Sequence, residues 1–461
     1  MFVLKLTNMS HSNNIITAID IGTTKIVTLV GRRLENNTIE LLGMSKAQSK
    51  GVIRGSVMNI EEAVSSIRYT VEEVQKQVGF TIKEAYVGIA GQHITSITGR
   101  GYIMRDVMED EITKKDTDRL LQEMYKTSIQ PGEEIIHVIP QSYLVDNEPN
   151  ITNPIGRFGK RLEGNYLIVI GQTMSARMIK RCVAKLGIHV KQLILEPLAS
   201  SAAVLTSEEM DAGVVLVDIG GGTTDIAIYH NEIIKGTGVI PFGGNVITKD
   251  IMEGLSLLFK YAELLKIQYG SALSELAEEG KVIAIPGING REPKEVSLKS
   301  LASIIQSRMD EIIERIEYYI EGSDIKKDKL AAGIVLTGGG AMLRNIKQLL
   351  SYQTTLDVRI GAPAIKVSNE RFKEINQPMY STSVGLLIKG FEDYVETYRP
   401  EPVVQATARQ TGDNNVITGD MDDDEDTTQE NAFNKAFKKV STMLENIFND
   451  DSDREFKNNS N

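Results

Sequence analysis

The chain has 461 residues, 41% of them hydrophobic and 25% charged, with a formal net charge of −11. That length exceeds one ordinary core, so two or more domains are expected, and the acidic balance excludes a general nucleic-acid binder because little would neutralise phosphates over a broad surface. A single cysteine, Cys182, rules out an intrachain disulfide and fits a reducing cytoplasm, while five scattered histidines offer no ligand spacing for a His-built metal site.

The opening stretch, MFVLKLTNMSHSNN, has a short apolar patch but no long apolar core or cleavage site, so no secretory signal is expected. No run of about 18 apolar residues occurs anywhere, which predicts no membrane-spanning helix. Ile16 to Gly31, ITAIDIGTTKIVTLVG, reads as strand, turn and strand, with Asp20, Gly22, Thr23, Thr24 and Lys25 at the turn. Another strand through Met44 follows. Ala63, Val64, Ile67, Val71, Val74 and Val78 then recur at helical spacing, predicting a helix over Ile60 to Val78. After a strand at Tyr86 to Ala90, residues 91–163 hold a strand-like HITSITGRGYIM, a helix at Lys114 to Ser128 and HVIPQSYLVD, enough for a small inserted lobe. Tyr166 to Gly171 and Val190 to Leu195 are strands, around a helix from Met174 to Leu186 that Gly187 stops. Glu196-Pro197 opens an apolar helix, proline suiting a first turn because its missing N–H would be unpaired there.

Gly213 to Tyr229, GVVLVDIGGGTTDIAIY, carries the densest information. An uninterrupted apolar run, Val214 to Val217, predicts a buried strand ending in Asp218. Gly220, Gly221 and Gly222 let the backbone approach a ligand closely, and consecutive free N–H groups in such a turn suit phosphate. Asp218 at its mouth is placed to hold a hydrated Mg²⁺. Taken alone this can also be read as a tight turn without a ligand. The second copy changes that: Asp-Ile-Gly followed by Thr-Thr occurs at Asp20 and again at Asp218, with two extra glycines. Two such turns suggest two similar halves gripping one phosphate chain. Beyond them, IPFGGNVITKDI and Ala262 to Ala272 read as helices, Glu263 and Lys266 sharing a face. Short strands over Ile283 to Ser297 and a long amphipathic helix, Leu298 to Ile320, complete a second small lobe. Gly333 to Thr337 is a strand whose glycines, Gly338, Gly339 and Gly340, lead into a predicted helix over Ala341 to Leu350, a natural ligand seat. A closing helix spans Thr382 to Val395.

The two turns, with Ile334 to Gly340 (IVLTGGG), resemble the phosphate-1, phosphate-2 and adenosine motifs of the superfamily of actin, heat-shock chaperone ATPases and sugar kinases. Within it the chain is most similar to the FtsA family of bacterial cell-division proteins, through HVIPQSYLVD (His137 to Asp146), NPIGRFGKRL (Asn153 to Leu162), LASSAAVLT (Leu198 to Thr206), AAGIVLTGGGA (Ala331 to Ala341) and YSTSVGLL (Tyr380 to Leu387). The resemblance covers roughly 14–398 and resumes at the extreme C-terminus. It implies an α/β, actin-like two-domain ATPase fold with an inserted FtsA-type small subdomain. Residues 14–90 and 164–200 would form the first domain and 91–163 the inserted self-assembly lobe. Residues 201–240 and 326–398 would form the second domain, with a return helix to the first, and 241–325 the lobe that takes the C-terminal tail of FtsZ.

The same resemblance implies ATP and Mg²⁺. Gly22, Thr23, Thr24, Gly220, Gly221, Gly222 and Thr223 would hold the phosphates, with Lys25 reaching them and Asp20 and Asp218 facing each other across the metal. Glu263 and Lys266 would meet the ribose and adenine, or form a plain ion pair; Gly338, Gly339 and Gly340 would flank the adenosine. Glu196 is either a water-positioning carboxylate or a structural cap, and any ATPase activity is slow. Arg291, Lys294, Lys299 and Arg308 offer a basic seat for the FtsZ tail, or a solvated helix face. The implied function is an ATP-binding, self-assembling protein that ties the FtsZ ring to the cytoplasmic face of the membrane at the division site and helps recruit later division proteins. A small-molecule kinase for a sugar or acid is the alternative, but it has no use for a C-terminal amphipathic tail. A heat-shock-type chaperone would carry a β-rich domain after residue 400.

Such a tail is present. Pro400 and Pro402 break structure, and Asp420 to Glu430 carries seven acidic residues and no basic one, so 399–431 is predicted to be a disordered linker. Over 432–449 the pattern turns helical: Phe433, Ala436, Phe437, Val440, Met443, Leu444, Ile447 and Phe448 make one apolar stripe, with Lys435, Lys438 and Lys439 beside it. This fits a helix lying on an anionic membrane surface, or one docking on the protein's own core or a partner. Partial burial of the large side chains at about 1 kcal/mol each supplies on the order of 5 kcal/mol before ordering costs. The three lysines add roughly 1 kcal/mol apiece near anionic lipid, and nearby acidic residues subtract from that. Apolar burial therefore dominates. In vesicle co-sedimentation, Phe433→Glu with Phe437→Glu should release the protein, whereas Lys438→Ala with Lys439→Ala should only weaken binding; equal severity would make the helix an electrostatic anchor.

Overall fold

Chain order begins with an antiparallel meander, β1 (Ile15–Ile21), β2 (Lys25–Arg33) and β3 (Ile39–Gln48), whose β1–β2 turn is the first Asp-Ile-Gly-Thr-Thr segment. A two-residue ladder, β4 (Val52–Ile53) with β5 (Ser56–Val57), precedes α1 (Ile60–Val78). Asn59 caps α1, its Oδ1 accepting from the N–H groups of Glu61 and Glu62, and Gly79 ends it in the left-handed conformation at φ 78°. β6 (Glu84–Ile89) then joins β1 in parallel. The computed structural model describes residues 14–34, 38–105, 110–287, 292–323, 325–364 and 370–397. Arg291, the predicted linker 399–431 and the predicted helix 432–449, with Phe433, Lys435, Phe437, Lys438, Lys439, Val440, Leu444, Ile447 and Phe448, lie outside the described residues.

The inserted lobe follows: β7 (Thr95–Met104), α2 (Lys114–Met124), β8 (Glu133–Val145), β9 (Glu148–Ile151) and β10 (Arg161–Gln172), with sheet order β7-β10-β8-β9. Ile103, Leu120, Met124, Leu162, Tyr166 and Ile168 form its own small core. β10 crosses position 163 and continues into the first domain, where Val169 joins a different core, so lobe and domain share one strand. Then come α3 (Thr173–Ala184), β11 (His189–Leu195) and α4 (Glu196–Val204).

After α5 (Ser207–Ala212), a second meander repeats the first: β12 (Val214–Ile219), β13 (Thr224–His230) and β14 (Ile233–Ile240). The second small lobe holds α6 (Gly244–Gly254), α7 (Phe259–Tyr269), β15 (Val282–Ile285), β16 (Lys294–Ser297) and α8 (Leu298–Glu321). β17 (Ile334–Thr337), α9 (Ile346–Thr354), β18 (Val358–Ile360) and α10 (Ser381–Thr397) close the described chain. The two large sheets have orders β11-β6-β1-β2-β3 and β18-β17-β12-β13-β14. They are the same topology built twice, which is the structural form of the repeated turn. Each turn leaves the C-terminal end of a central strand, where open α/β sheets bind ligands.

Two helices join the halves. α4 leads out of the first sheet, and α10 returns to pack Val384, Leu387 and Phe391 against Ile16, Val27 and Leu29. They cross so tightly that a Cβ on Gly385 would collide with the backbone of Ala199, so glycine is required at that position.

Candidate nucleotide site

The two turns meet face to face. A side chain at Gly221 would collide with Thr24, and one at Gly222 would lie 2.5 Å from Thr23 Oγ1, so the glycines let the halves close on each other. Behind the turns lie the carboxylates. Asp20, at the end of β1, is buried and accepts from Ser383 Oγ at 2.6 Å. Asp218, at the end of β12, is also buried and accepts from Ser200 Oγ at 2.6 Å and from Thr382 Oγ1 at 3.2 Å. Ser200, one turn into α4, and the first turn of α10 thus supply the hydroxyl donors, α10 touching one aspartate from each half with adjacent residues.

Glu196 opens α4 and is half-buried against the same cleft. It leans on Gly88 of β6, where a Cβ would sit 3.1 Å from its Oε1. Burial pushes its carboxyl well above the usual range, and the charges of Asp20, Asp225 and Asp218 push it further, with Lys25 opposing them. Asp225 belongs to this group although its position in the sequence did not mark it. Its Oδ2 accepts from Thr223 Oγ1 at 3.0 Å, while Oδ1 is buried without a hydrogen-bond partner. Burial, followed by repulsion from Asp218, raises its carboxyl to about 8. Asp218 is raised too, by burial, while Ser200, Lys25 and Thr382 hold it back. A buried acid cluster with an orphaned oxygen is a site short of positive charge. No group of three or more His, Cys, Asp or Glu is arranged to hold a metal by protein ligands alone among the described residues. Mg²⁺ takes one or two carboxylates and completes its shell with water and phosphate, and Asp20 and Asp218 are two carboxylates on one cleft. The donor set is all hard oxygen, as that ion requires.

Other predicted residues fall into place unequally. Gly22, Thr23, Thr24, Lys25, Gly220, Gly221, Gly222, Thr223, Gly338 and Gly339 line one cleft with Asp20, Asp218 and Glu196. Gly340 instead packs on Ile219. The predicted helix over Ala341 to Leu350 is corrected: Gly339–Met342 is a short 3₁₀ turn, Asn345 is left-handed at φ 60°, and α9 starts only at Ile346. Gly338 itself, at φ 82°, closes against Asp218, where any side chain would collide. Glu263 and Lys266 form an ion pair at 2.7 Å and do not line that cleft. Lys266 Nζ reaches Gly244 O at 2.9 Å, and the Gly244 N–H donates to Gly220 O, so the pair stands one residue behind the second turn.

In the second small lobe, Lys294 and Lys299 are exposed. Lys294 Nζ donates to Leu255 O. Arg308 is not a free cation. Its guanidinium forks onto both oxygens of Asp250 and also bonds Glu311.

Residues 215–385 match the family described as Cell division protein FtsA, and residues 91–170 match the SHS2 domain inserted in FTSA. Cell division protein FtsA of Pseudomonas aeruginosa is 37% identical over 383 residues, 83% of this chain and 90% of that protein. The chain belongs to the FtsA family. FtsA of Neisseria meningitidis serogroup B is 35% identical over 409 residues, covering 89% of this chain and 97% of that one. A solved chain of the PilM-PilN type IV pilus biogenesis complex shares the fold, with a TM-score of 0.55 at 14% identity over 82% of this chain and 98% of its own length. The fold is therefore actin-like with the FtsA insertion, and the sugar or acid kinase alternative falls away.

The acid cluster has a measurable consequence. Asp225 titrates near 3.8 when free and at about 8 in the fold, so its stabilising contribution is full below pH 3.8 and is lost as pH rises through about 8. Without metal or nucleotide, the melting temperature should fall by a few degrees from pH 6 to pH 9, and Asp225→Asn should flatten that fall. An unchanged slope in the variant would remove Asp225 from the cluster.

Proposed function

We propose that this FtsA-family protein binds Mg²⁺-ATP between its two turns, self-assembles, and links the FtsZ ring to the cytoplasmic face of the membrane at the division site. The observation that carries the nucleotide reading is the contact of the two glycine-threonine turns across the halves, each with an aspartate behind it. Backbone N–H groups of Gly22, Gly221 and Gly222, with the hydroxyls of Thr23 and Thr24, receive the phosphates. The Gly220 N–H already donates to Thr223 O at 2.9 Å and the Thr223 hydroxyl to Asp225, so those two predicted contacts require these bonds to be exchanged. Lys25, 5.8 Å from the Tyr380 ring centroid, adds positive charge at the first turn. Asp20 and Asp218 hold Mg²⁺, which would screen the β- and γ-phosphate charge. Glu196 orients water, and a carboxyl held above the usual carboxylate range is a stronger proton acceptor in its ionised form. Nothing here demands fast turnover, so slow hydrolysis suffices.

The partner side rests on two parts of the chain. The amphipathic stretch 432–449 attaches to anionic lipid through its apolar stripe. The second small lobe takes the acidic and apolar tail of FtsZ, with exposed Lys299 and Lys294 as first contacts. Arg308 contributes only by exchanging Asp250 or Glu311 for a peptide carboxylate, and the inserted lobe serves self-assembly and later division proteins. Reversing both lysines (Lys294→Glu, Lys299→Glu) should weaken an FtsZ C-terminal peptide by about tenfold or more in fluorescence anisotropy, with ATP affinity preserved. Unchanged peptide affinity would take this face out of the proposal.

A further inference from the structure

The inserted lobe touches the back of the nucleotide cleft through two histidines. His137, on β8, accepts a hydrogen bond at Nε2 from the backbone N–H of Leu195 at 3.0 Å. Leu195 ends β11, an edge strand with β6 on one side only, so an N–H turned outward has no strand to receive it. The imidazole receives it instead. The next residue is Glu196. To accept at Nε2 the ring must be neutral with its proton on Nδ1; burial, with the Lys389 charge adding, pushes its pKa down to about 4 and keeps it so.

His93 stands two residues after Gly91, where the lobe begins. Its Nδ1 lies 3.4 Å from Ser56 Oγ, and its Nε2 is buried without a partner. Ser56 follows Gly55, whose N–H donates to Thr23 Oγ1 at 3.1 Å. Gly55 in turn packs so closely on Ala90 and Gly91 that a Cβ there would lie 2.8 Å from Ala90 O. Each histidine therefore holds the neighbour of a residue that faces the cleft: Ser56 beside Gly55, and Leu195 beside Glu196.

We propose that His137 is a positioning residue for Glu196 and, with His93, the link through which the inserted lobe and the nucleotide site respond to each other. A shift of the first turn moves Gly55 and, through Ser56, the start of the lobe. A shift of Glu196 moves Leu195 and, through His137, β8. The coupling is reciprocal, so whatever engages the lobe alters the cleft by the same two contacts. This inference rests on the nucleotide reading above.

Hydrogen exchange of the full chain, with and without Mg²⁺ and a non-hydrolysable ATP analogue, tests it. In the wild type the analogue should slow exchange by about threefold or more both at the second turn, 214–224, and in the lobe strands 95–104 and 133–145. His137→Phe should keep the turn response and lose the response at 133–145. His137→Gln, whose amide oxygen can accept from Leu195, should retain both. Ser56→Ala, a small change that tests the other contact without disturbing His137, should reduce the response at 95–104. A wild-type lobe indifferent to the analogue while the turn is protected would overturn the inference alone, as would full lobe responses in both His137→Phe and Ser56→Ala. No protection at 214–224 in the wild type would overturn the nucleotide reading and this inference with it.

Discussion

The structure depends on one electrostatic constraint: Asp20, Asp218, Asp225 and Glu196 are gathered into a single cleft between two halves. Burial makes such a cluster costly, and the raised carboxyls of Glu196, Asp218 and Asp225 express that cost. The protein offsets it locally with hydroxyls, Ser200 and Thr382 on Asp218, Ser383 on Asp20 and Thr223 on Asp225. A neutral donor relieves part of the charge and leaves the rest for a cation and the groups around it. The cleft thus keeps an excess of buried acid that its hydroxyl donors do not cancel.

Three of these four hydroxyls come from the crossover helices, which makes those helices more than connectors. α4 begins with Glu196 and carries Ser200 one turn later; α10 begins with Ser381, Thr382 and Ser383. Ser381 Oγ also meets Thr337 Oγ1 at 2.6 Å, tying the end of β17 to the same turn of α10. Because α4 and α10 cross at Ala199 and Gly385 with no room for a side chain, neither slides freely past the other. Changes in the relative position of the halves are therefore registered where the aspartates are held.

Much of this was readable beforehand, and the reason is local. Both phosphate-type turns follow apolar strands and carry their chemistry within five or six residues, so glycine spacing, Asp20 and Asp218 stood out. The duplicated sheet topology followed from the same repeat. What escaped is non-local. Ser200, Ser383 and Thr382 are ordinary helix residues until the fold brings them under the aspartates. Asp225 lies on β13, which is buried along 224–229 on both faces, so only the fold shows that its carboxylate faces the cleft. The helix expected at Ala341 failed because Asn345 takes a left-handed conformation that glycine-led patterning does not reveal. Arg308 looked available only because Asp250, 58 residues away in sequence, was not visible as its partner.

The central claim is that Asp218 acts through a metal in the grip of both turns on one nucleotide. Isothermal calorimetry of ATP binding, in Mg²⁺ and in a chelator, tests it most directly on the wild type and Asp218→Ala. The account predicts that Mg²⁺ strengthens wild-type binding by about tenfold or more, and that the variant loses this gain while its metal-free affinity stays close to that of the wild type. Equal losses with and without Mg²⁺ would contradict it.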